Sequence, residues 1–271
     1  MSMVEIFDNI RKLYQFKLPC PELAAHIEFF SETSPEAMRH YVGEAPFTVK
    51  MFPSYTPTIW LNLGTPYHLK QGDQVHLVDE DTDVLLLRSA IVERRNLPTD
   101  NIFTVKFNPG GFEAIFGIPQ RKIGAAVINV NEVIPDTLLH KLKRLDNFDS
   151  RMRLLESFLL DKLLHNRERL HYLQCVQDTI EAFCASGMQL NNYELASRQY
   201  MTEKTFYRYF TQVIGASPKH FFATMRARTA LTDYITHKTA FSPAAYGYYD
   251  MSHFYKDVVR FTGRRITTAG L

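Results

Sequence analysis

The apolar positions change period near residue 135. From about residue 47 to residue 130 they come in short runs rich in β-branched and aromatic residues: "FTVKMF", "TIWLNL", "QVHLV", "VLLLRSAIV", "IFTVKF" and "AAVINV". Turn signals bound most of these runs: Pro53, Pro57, Gly64-Thr65-Pro66, Gly72-Asp73, Asp79 to Asp83, Pro98 and Pro109-Gly110-Gly111. Many short strands punctuated in this way predict a sandwich or small barrel. After Pro135 the pattern turns helical. "DTLLHKLKRL" and "SRMRLLESFLLDKLLHN" carry Leu155, Phe158, Leu159, Lys162 and Leu163 at helical spacing, and the apolar members form one stripe.

Further on, the chain nearly repeats itself. "TFYRYF" begins at Thr205 and "HFYKDV" at His253, an offset of 48 residues. In that register Ala196 falls on Ala244, Tyr200 on Tyr248, Phe206 on Phe254, Tyr207 on Tyr255 and Gly215 on Gly263. Thr202 falls on Asp250, both good helix N-caps, and Arg208 falls on Lys256. This is a degenerate repeat of one supersecondary unit. In the first copy, Asn191 or Asn192 caps a short helix carrying Leu195 and Ala196. The chain turns near Tyr200, Thr202 caps a second helix, and Gly215 stops it. Phe206, Phe210 and Val213 lie at i, i+4 and i+7, one buried stripe. The unit reads as a helix-turn-helix whose second helix is free to enter a major groove.

The face opposite that stripe holds Lys204, Tyr207, Arg208 and Thr211; in the second copy it holds Ser252, Tyr255 and Lys256. Arginine can donate two hydrogen bonds to a guanine edge, and tyrosine can meet a thymine methyl or a phosphate. On one exposed helix, cations serve solvation as readily as binding. A Tyr followed by a cation at the same position of both copies favours a nucleic-acid partner. Between the copies, Ser217-Pro218 starts another helix that runs to about His237, with Phe222, Met225, Ala230, Leu231 and Ile235 on its inner side. About 20 residues at ~1.5 Å each give roughly 30 Å, close to the roughly 34 Å of one DNA turn. Such a spacer sets two reading helices into successive major grooves.

Charge sharpens the picture. Of 271 residues, those up to 195 carry 20 Lys and Arg against 25 Asp and Glu, whereas 196–271 carry 11 against 4. A basic end on an acidic body fits a polyanionic partner. Apolar content of 45% and charged content of 22% are those of a soluble globular protein. No run approaches the roughly 18 apolar residues of a membrane span, and the start of the chain lacks an apolar signal core. Cys20, Cys175 and Cys184 are scattered and odd in number, which suits a reducing compartment and excludes a zinc ribbon.

The first half offers little chemistry. His68 and His76 stand on separate strands without a third ligand in metal spacing. "DEDTD" lacks the Gly and Glu of a calcium loop and reads as a solvated hairpin tip. "NPGGF" reads as a strand-to-helix turn and not a phosphate loop. Ser54 and Ser89 lie outside any nucleophile elbow. No cofactor, metal or catalytic set is expected, so the chain is not read as an enzyme. A barrel can still hold a small ligand, and Trp60, Phe52 and Tyr67 are candidates for its wall, with core packing as the alternative.

"LASRQYMTEKTFYRYFTQVIGASPKHFFATMRARTAL" resembles the first half of the DNA-binding domain of AraC-family transcriptional regulators, through Ala196, Thr202, Phe206, Arg208, Phe210, Gly215, Ser217-Pro218 and Arg226. "GYYDMSHFYKDVVRFTG" resembles that family's second helix-turn-helix signature, and "VKFNPGGFEAIFGIP" the end of a cupin-like sensor barrel. Pro243 stands where the family has an apolar residue, Val258-Val259 where it has Phe-Lys, and the tail "RRITTAGL" lacks its Pro and aromatic. The resemblance implies an α+β chain. A cupin-like β-barrel or sandwich for sensing or dimerisation occupies 1–135, and a helical connector 136–167. An all-α DNA-binding domain at 168–271 holds two helix-turn-helix units joined by a linker helix. It further implies base contacts from Lys204, Tyr207, Arg208, Ser252, Tyr255 and Lys256, and phosphate contacts from Thr202, His253 and Arg260. A cytoplasmic bacterial regulator of double-stranded DNA follows, often a homodimer, with a small-molecule effector in the N-terminal domain. The rivals are a cupin-like enzyme or a protein-interaction adapter with an appended DNA-binding module.

Overall fold

A computed structural model describes residues 2–166 and 171–265. Strand β1 (Ser2–Val4) leads to β2 (Tyr14–Lys17) and β3 (Ile27–Thr33), then helix α1 (Pro35–Tyr41). Strands β4 (Phe47–Met51), β5 (Pro57–Asn62), β6 (Tyr67–Gln71), β7 (Gln74–Val78), β8 (Val84–Leu87), β9 (Val92–Asn96) and β10 (Ile102–Phe107) follow. Helix α2 (Gly111–Phe116) and strand β11 (Val127–Asn129) complete this part. The remainder is helical: α3 (Asp136–Arg144), α4 (Phe148–His165), α5 (His171–Ala185), α6 (Asn192–Arg198), α7 (Glu203–Ile214), α8 (Pro218–Thr236) and α9 (Met251–Thr262). The chain is thus α+β, as its periodicity predicts.

The strands form two sheets, β1-β4-β9-β6-β7 and β11-β8-β5-β10-β3-β2. In the second sheet β5 and β10 are central and buried along their whole length. Alternate residues serve two cores, as the period of a strand requires. Ile59, Leu61, Phe103 and Val105 join α2, α3 and α4 in one cluster. Trp60, Leu86 and Ile102 face the other way and join Val49, Tyr67, Leu69 and Val92 of the first sheet. The result is a sandwich with helices over the outer face of the larger sheet. Helices α3 and α4 therefore pack with the strands, while α5 shares a core with α6, α7 and α8. The boundary expected at 167/168 lies outside the described residues.

Three readings of the strand region change. "VLLLRSAIV" is two strands, β8 and β9, in different sheets. It breaks where the Arg88 carbonyl turns away to accept from Ser54 N and Tyr55 N at 2.9 and 3.0 Å. "DEDTD" is no hairpin tip, since it carries the chain from one sheet to the other. Its last residue, Asp83, is buried, accepts from Asn62 N at 2.8 Å and pairs with Lys143 at 3.1 Å. Strands β1, β2 and β3 precede the segment read as β. "NPGGF" is the expected strand-to-helix turn, with Gly110 at φ 78° ahead of α2.

Candidate nucleic-acid interface

Local chemistry builds the first unit. Asn191 and Glu194 form a reciprocal capping box on α6. Tyr200, at φ 53°, makes the sharp turn. The Thr202 hydroxyl accepts from Thr205 N to cap α7, and Gly215, at φ 77°, ends it. Phe206, Phe210 and Val213 are buried with Leu195 and Ala196, so α7 can roll in neither direction. Lys204, Tyr207 and Arg208 then face solvent. The Arg208 guanidinium lies 5.3 Å from the Tyr209 ring.

In the second unit, Asp250 caps α9 through His253 N and Gly263, at φ 68°, ends it. Phe254, Val258 and Phe261 form the buried stripe, while Ser252, His253, Lys256 and Arg260 are exposed. The unit's first helix is a single 3-10 turn, Pro243–Tyr246, with no buried residue. Tyr255 is only half exposed. Its hydroxyl lies 3.4 Å from that of Tyr234 and its acidity is pushed down, to a pKa of about 12, by that hydrogen bond and by burial. Of the residues expected at phosphates, Thr202 is engaged as a cap, His253 stands edge-on to the Tyr248 ring, and Arg260 pairs with Asp257 at 3.3 Å. Helix α8, with 19 residues, spans roughly 28 Å between the units.

The sandwich closes against these helices through contacts that sequence periodicity does not signal. The Gln120 amide donates to the carbonyls of Tyr55 and Ile214, both at 2.7 Å. Tyr55 packs edge-on against His220 and Phe221. Phe52 meets Phe261 with ring centroids 5.0 Å apart. The Glu5 carboxylate is shared by Arg88 of the sandwich and Arg228 of α8. Burial pushes the Glu5 carboxyl up, but the two guanidiniums outweigh it and hold the group well below the usual carboxylate range.

Beside that ion pair lies a cavity of about 590 Å³. Trp60, Phe29, Phe16 and Ile235 give it apolar walls, and Arg88, Arg94, Lys106 and Arg228 give it cations. Arg94 donates to the Tyr14 hydroxyl at 2.6 Å. The Nε atoms of Arg88 and Arg94 and Nη1 of Arg228 are buried without a partner. Lys106, pushed down to a pKa of about 8 by burial against the pull of Glu28, pairs with that carboxylate at 2.7 Å. Trp60 is thus the one expected wall residue that lines the cavity. Phe52 and Tyr67 are core, because Phe52 packs on the second unit and Tyr67 on the first sheet. His68 and His76 fall on adjacent strands in a register that pairs Leu69 with His76, which puts the two imidazoles on opposite faces. Among the described residues no cluster of His, Cys, Asp or Glu is arranged to hold a metal ion, and no helix is long and apolar enough to cross a membrane.

No family model matches the chain, and no curated protein matches it. Solved structures do. ToxT from Vibrio cholerae O395 bound to (E)-4-(8-methylnaphthalen-1-yl)but-3-enoic acid is 8% identical, with a TM-score of 0.47 over 82% of this chain and 96% of that one. Unsaturated fatty acid-bound ToxT from Vibrio cholerae strain SCE256 is 10% identical, with a TM-score of 0.44 over 82% and 92%. The AraC-like transcriptional activator CuxR is 12% identical, with a TM-score of 0.31 over 83% and 92%.

Proposed function

We propose that this chain is a sequence-specific, double-stranded-DNA-binding transcription regulator of the AraC type. One observation carries the reading: two capped helices, α7 and α9, each buried on its aromatic side and each turning a cation outward, Arg208 and Lys256, behind a tyrosine that is exposed on α7 and half-buried on α9. Lys204, Tyr207 and Arg208 read bases from the first unit, and Ser252 and Lys256 stand at the second. Tyr255, tied to Tyr234, serves better as a support for Lys256 than as a reader. Such a role belongs in the cytoplasm and needs no catalytic group. Binding-site selection with the full chain and a random duplex library tests it. Enrichment of a two-part site with its halves about one helical turn apart is expected; recovery of no enriched sequence overturns it.

The cavity supports a small-molecule effector in preference to a purely adhesive sandwich. Its apolar walls and surplus of cations suit an anionic amphipathic ligand, whose charge would meet the unpartnered N–H groups of Arg88, Arg94 and Arg228. The halves on either side of the cavity are the sandwich and α8, so a ligand there changes how the two are held.

A further inference from the structure

A second cleft, of about 440 Å³, opens on the reading face of α7. Lys204, Tyr207, Arg208 and Thr211 line one side and Arg121, from the sandwich, lines the other. Arg121 belongs to the 3-10 turn Gln120–Lys122, which docks on the C-terminal end of α7 through the Gln120 amide and the Ile214 carbonyl. A methyl group built on Gly215 would lie 3.7 Å from the Arg121 Cα. Arg121 and Lys122 are both exposed, and neither side chain makes a hydrogen bond or salt bridge with any described residue, the Glu113 carboxylate lying near enough only to feel the Arg121 charge. In the strand region Lys17, Lys50, Arg88 and Lys106 are paired to carboxylates, whereas Arg39, Lys70 and Arg95, like Arg121, form no ion pair with any described residue; of these, Arg121 is the one that lines the cleft beside α7.

An unpaired guanidinium beside the reading helix, on an otherwise acidic body, calls for an anion that arrives with the reader's target. When the first turns of a recognition helix reach the base edges, its far end climbs towards the sugar-phosphate backbone at the groove margin. That is the end of α7 at which Arg121 stands. We propose that Arg121 is a phosphate-contacting residue, by which the sandwich takes part directly in DNA binding. The inference rests on the DNA-binding reading above and extends it to a part of the chain that the reading leaves outside the interface.

The test is a set of binding titrations with the full chain across a range of salt. The probes are a duplex carrying the selected sequence and a scrambled duplex of equal length. Arg121→Ala is expected to weaken both by the same factor, roughly threefold to tenfold, and to reduce the salt slope by about one, as loss of one phosphate contact does. Arg121→Lys is expected to restore most of the slope, and the thermal midpoint is expected to stay that of the parent. If Arg208→Ala weakens binding while Arg121→Ala leaves it unchanged, the proposal falls and DNA binding stands. Tighter binding by Arg121→Ala also overturns it, and shows that the turn obstructs the groove. If the parent chain binds neither duplex, both readings fall together.

Discussion

Arg208 is exposed on α7, and the planar fork of its guanidinium is what bidentate reading of guanine requires. Arg208→Ala is expected to weaken binding to the selected duplex by about 1–3 kcal/mol and to relax preference at one base position. Repeating the selection with the variant checks this, and an unchanged preference would remove Arg208 from the readers. Asp100 bears on stability instead. Burial raises its pKa to about 6, with Arg94 pulling the other way, and its Oδ1 has no partner. An unfolded aspartate titrates near ~3.9, so the folded state binds more protons between those values. Stability therefore falls as pH rises through that window, and the full cost is present above about pH 6. Asp100→Asn is expected to be more stable than the parent by about 3 kcal/mol at pH 8 and equal to it below about pH 4, as read by urea unfolding at both. Lower stability of the variant at pH 8 would mean that attraction to Arg94 outweighs burial. The exposed positions Lys204, Tyr207 and Arg208 were legible because helical period can be counted along the chain. Glu5 and Arg121 were not, since Arg88, Arg228 and α7 lie 80 or more positions from them in sequence; Asp100 was not, since Arg94 is close to it in sequence but its burial is set only by the packed sandwich.

At the scale of elements, helices with caps and glycine stops were the most legible. Thr202, Asp250, Ser217-Pro218 and Gly215 act where the pattern puts them. Strands were harder. The seven residues of β3 lie outside the segment read as β, and "VLLLRSAIV" hides a change of sheet because both of its halves are buried. Periodicity reports burial and not the partner strand. The second unit departs most from the first. Its leading helix is one 3-10 turn in which Pro243 denies a backbone donor, and Ala244, the counterpart of buried Ala196, is exposed. Helix α9 is consequently held by α8 and by the sandwich through Phe52. A reader supported in this way, with a lysine in place of arginine and its tyrosine tied to Tyr234, is suited to fixing the protein on the backbone. Phosphate contacts set register but carry little sequence information. Lys256→Ala is therefore expected to lower affinity for selected and scrambled duplexes about equally, whereas Arg208→Ala lowers the first much more than the second. Paired competition titrations at one salt concentration decide between them. If Lys256→Ala abolishes specificity and Arg208→Ala spares it, the units have the reverse roles.

Across the whole molecule, one carboxylate joins the two halves. Glu5 extends from the end of β1, where the strand runs parallel to β4, and places its oxygens between Arg88 and Arg228. One of them also accepts from Phe52 N at 2.7 Å. Removing one member of a buried ion pair costs more than the pair contributes, because the remaining charge stays buried and unpaired. Here two guanidiniums would share that fate, with Arg228 the more able to turn to water. The carboxyl is held below its unfolded value, so its contribution is present above about pH 4 and is lost only as pH falls through the lower, folded value. Mild acid should leave the junction intact, and a neutral side chain should not. Glu5→Gln is expected to raise amide hydrogen exchange across α8 and the β1–β4 edge while the interior strands β5 and β10 keep their protection. Adding Arg228→Met to that variant is expected to recover part of the loss, since it removes one unpaired charge and keeps an apolar stem against the cavity wall. Exchange measured by mass spectrometry on the parent, the single and the double variant gives the answer. Equal protection of α8 in all three would show that the aromatic contacts of Phe52 and Tyr55 hold the halves together without the charge, and that Glu5 serves the cavity alone.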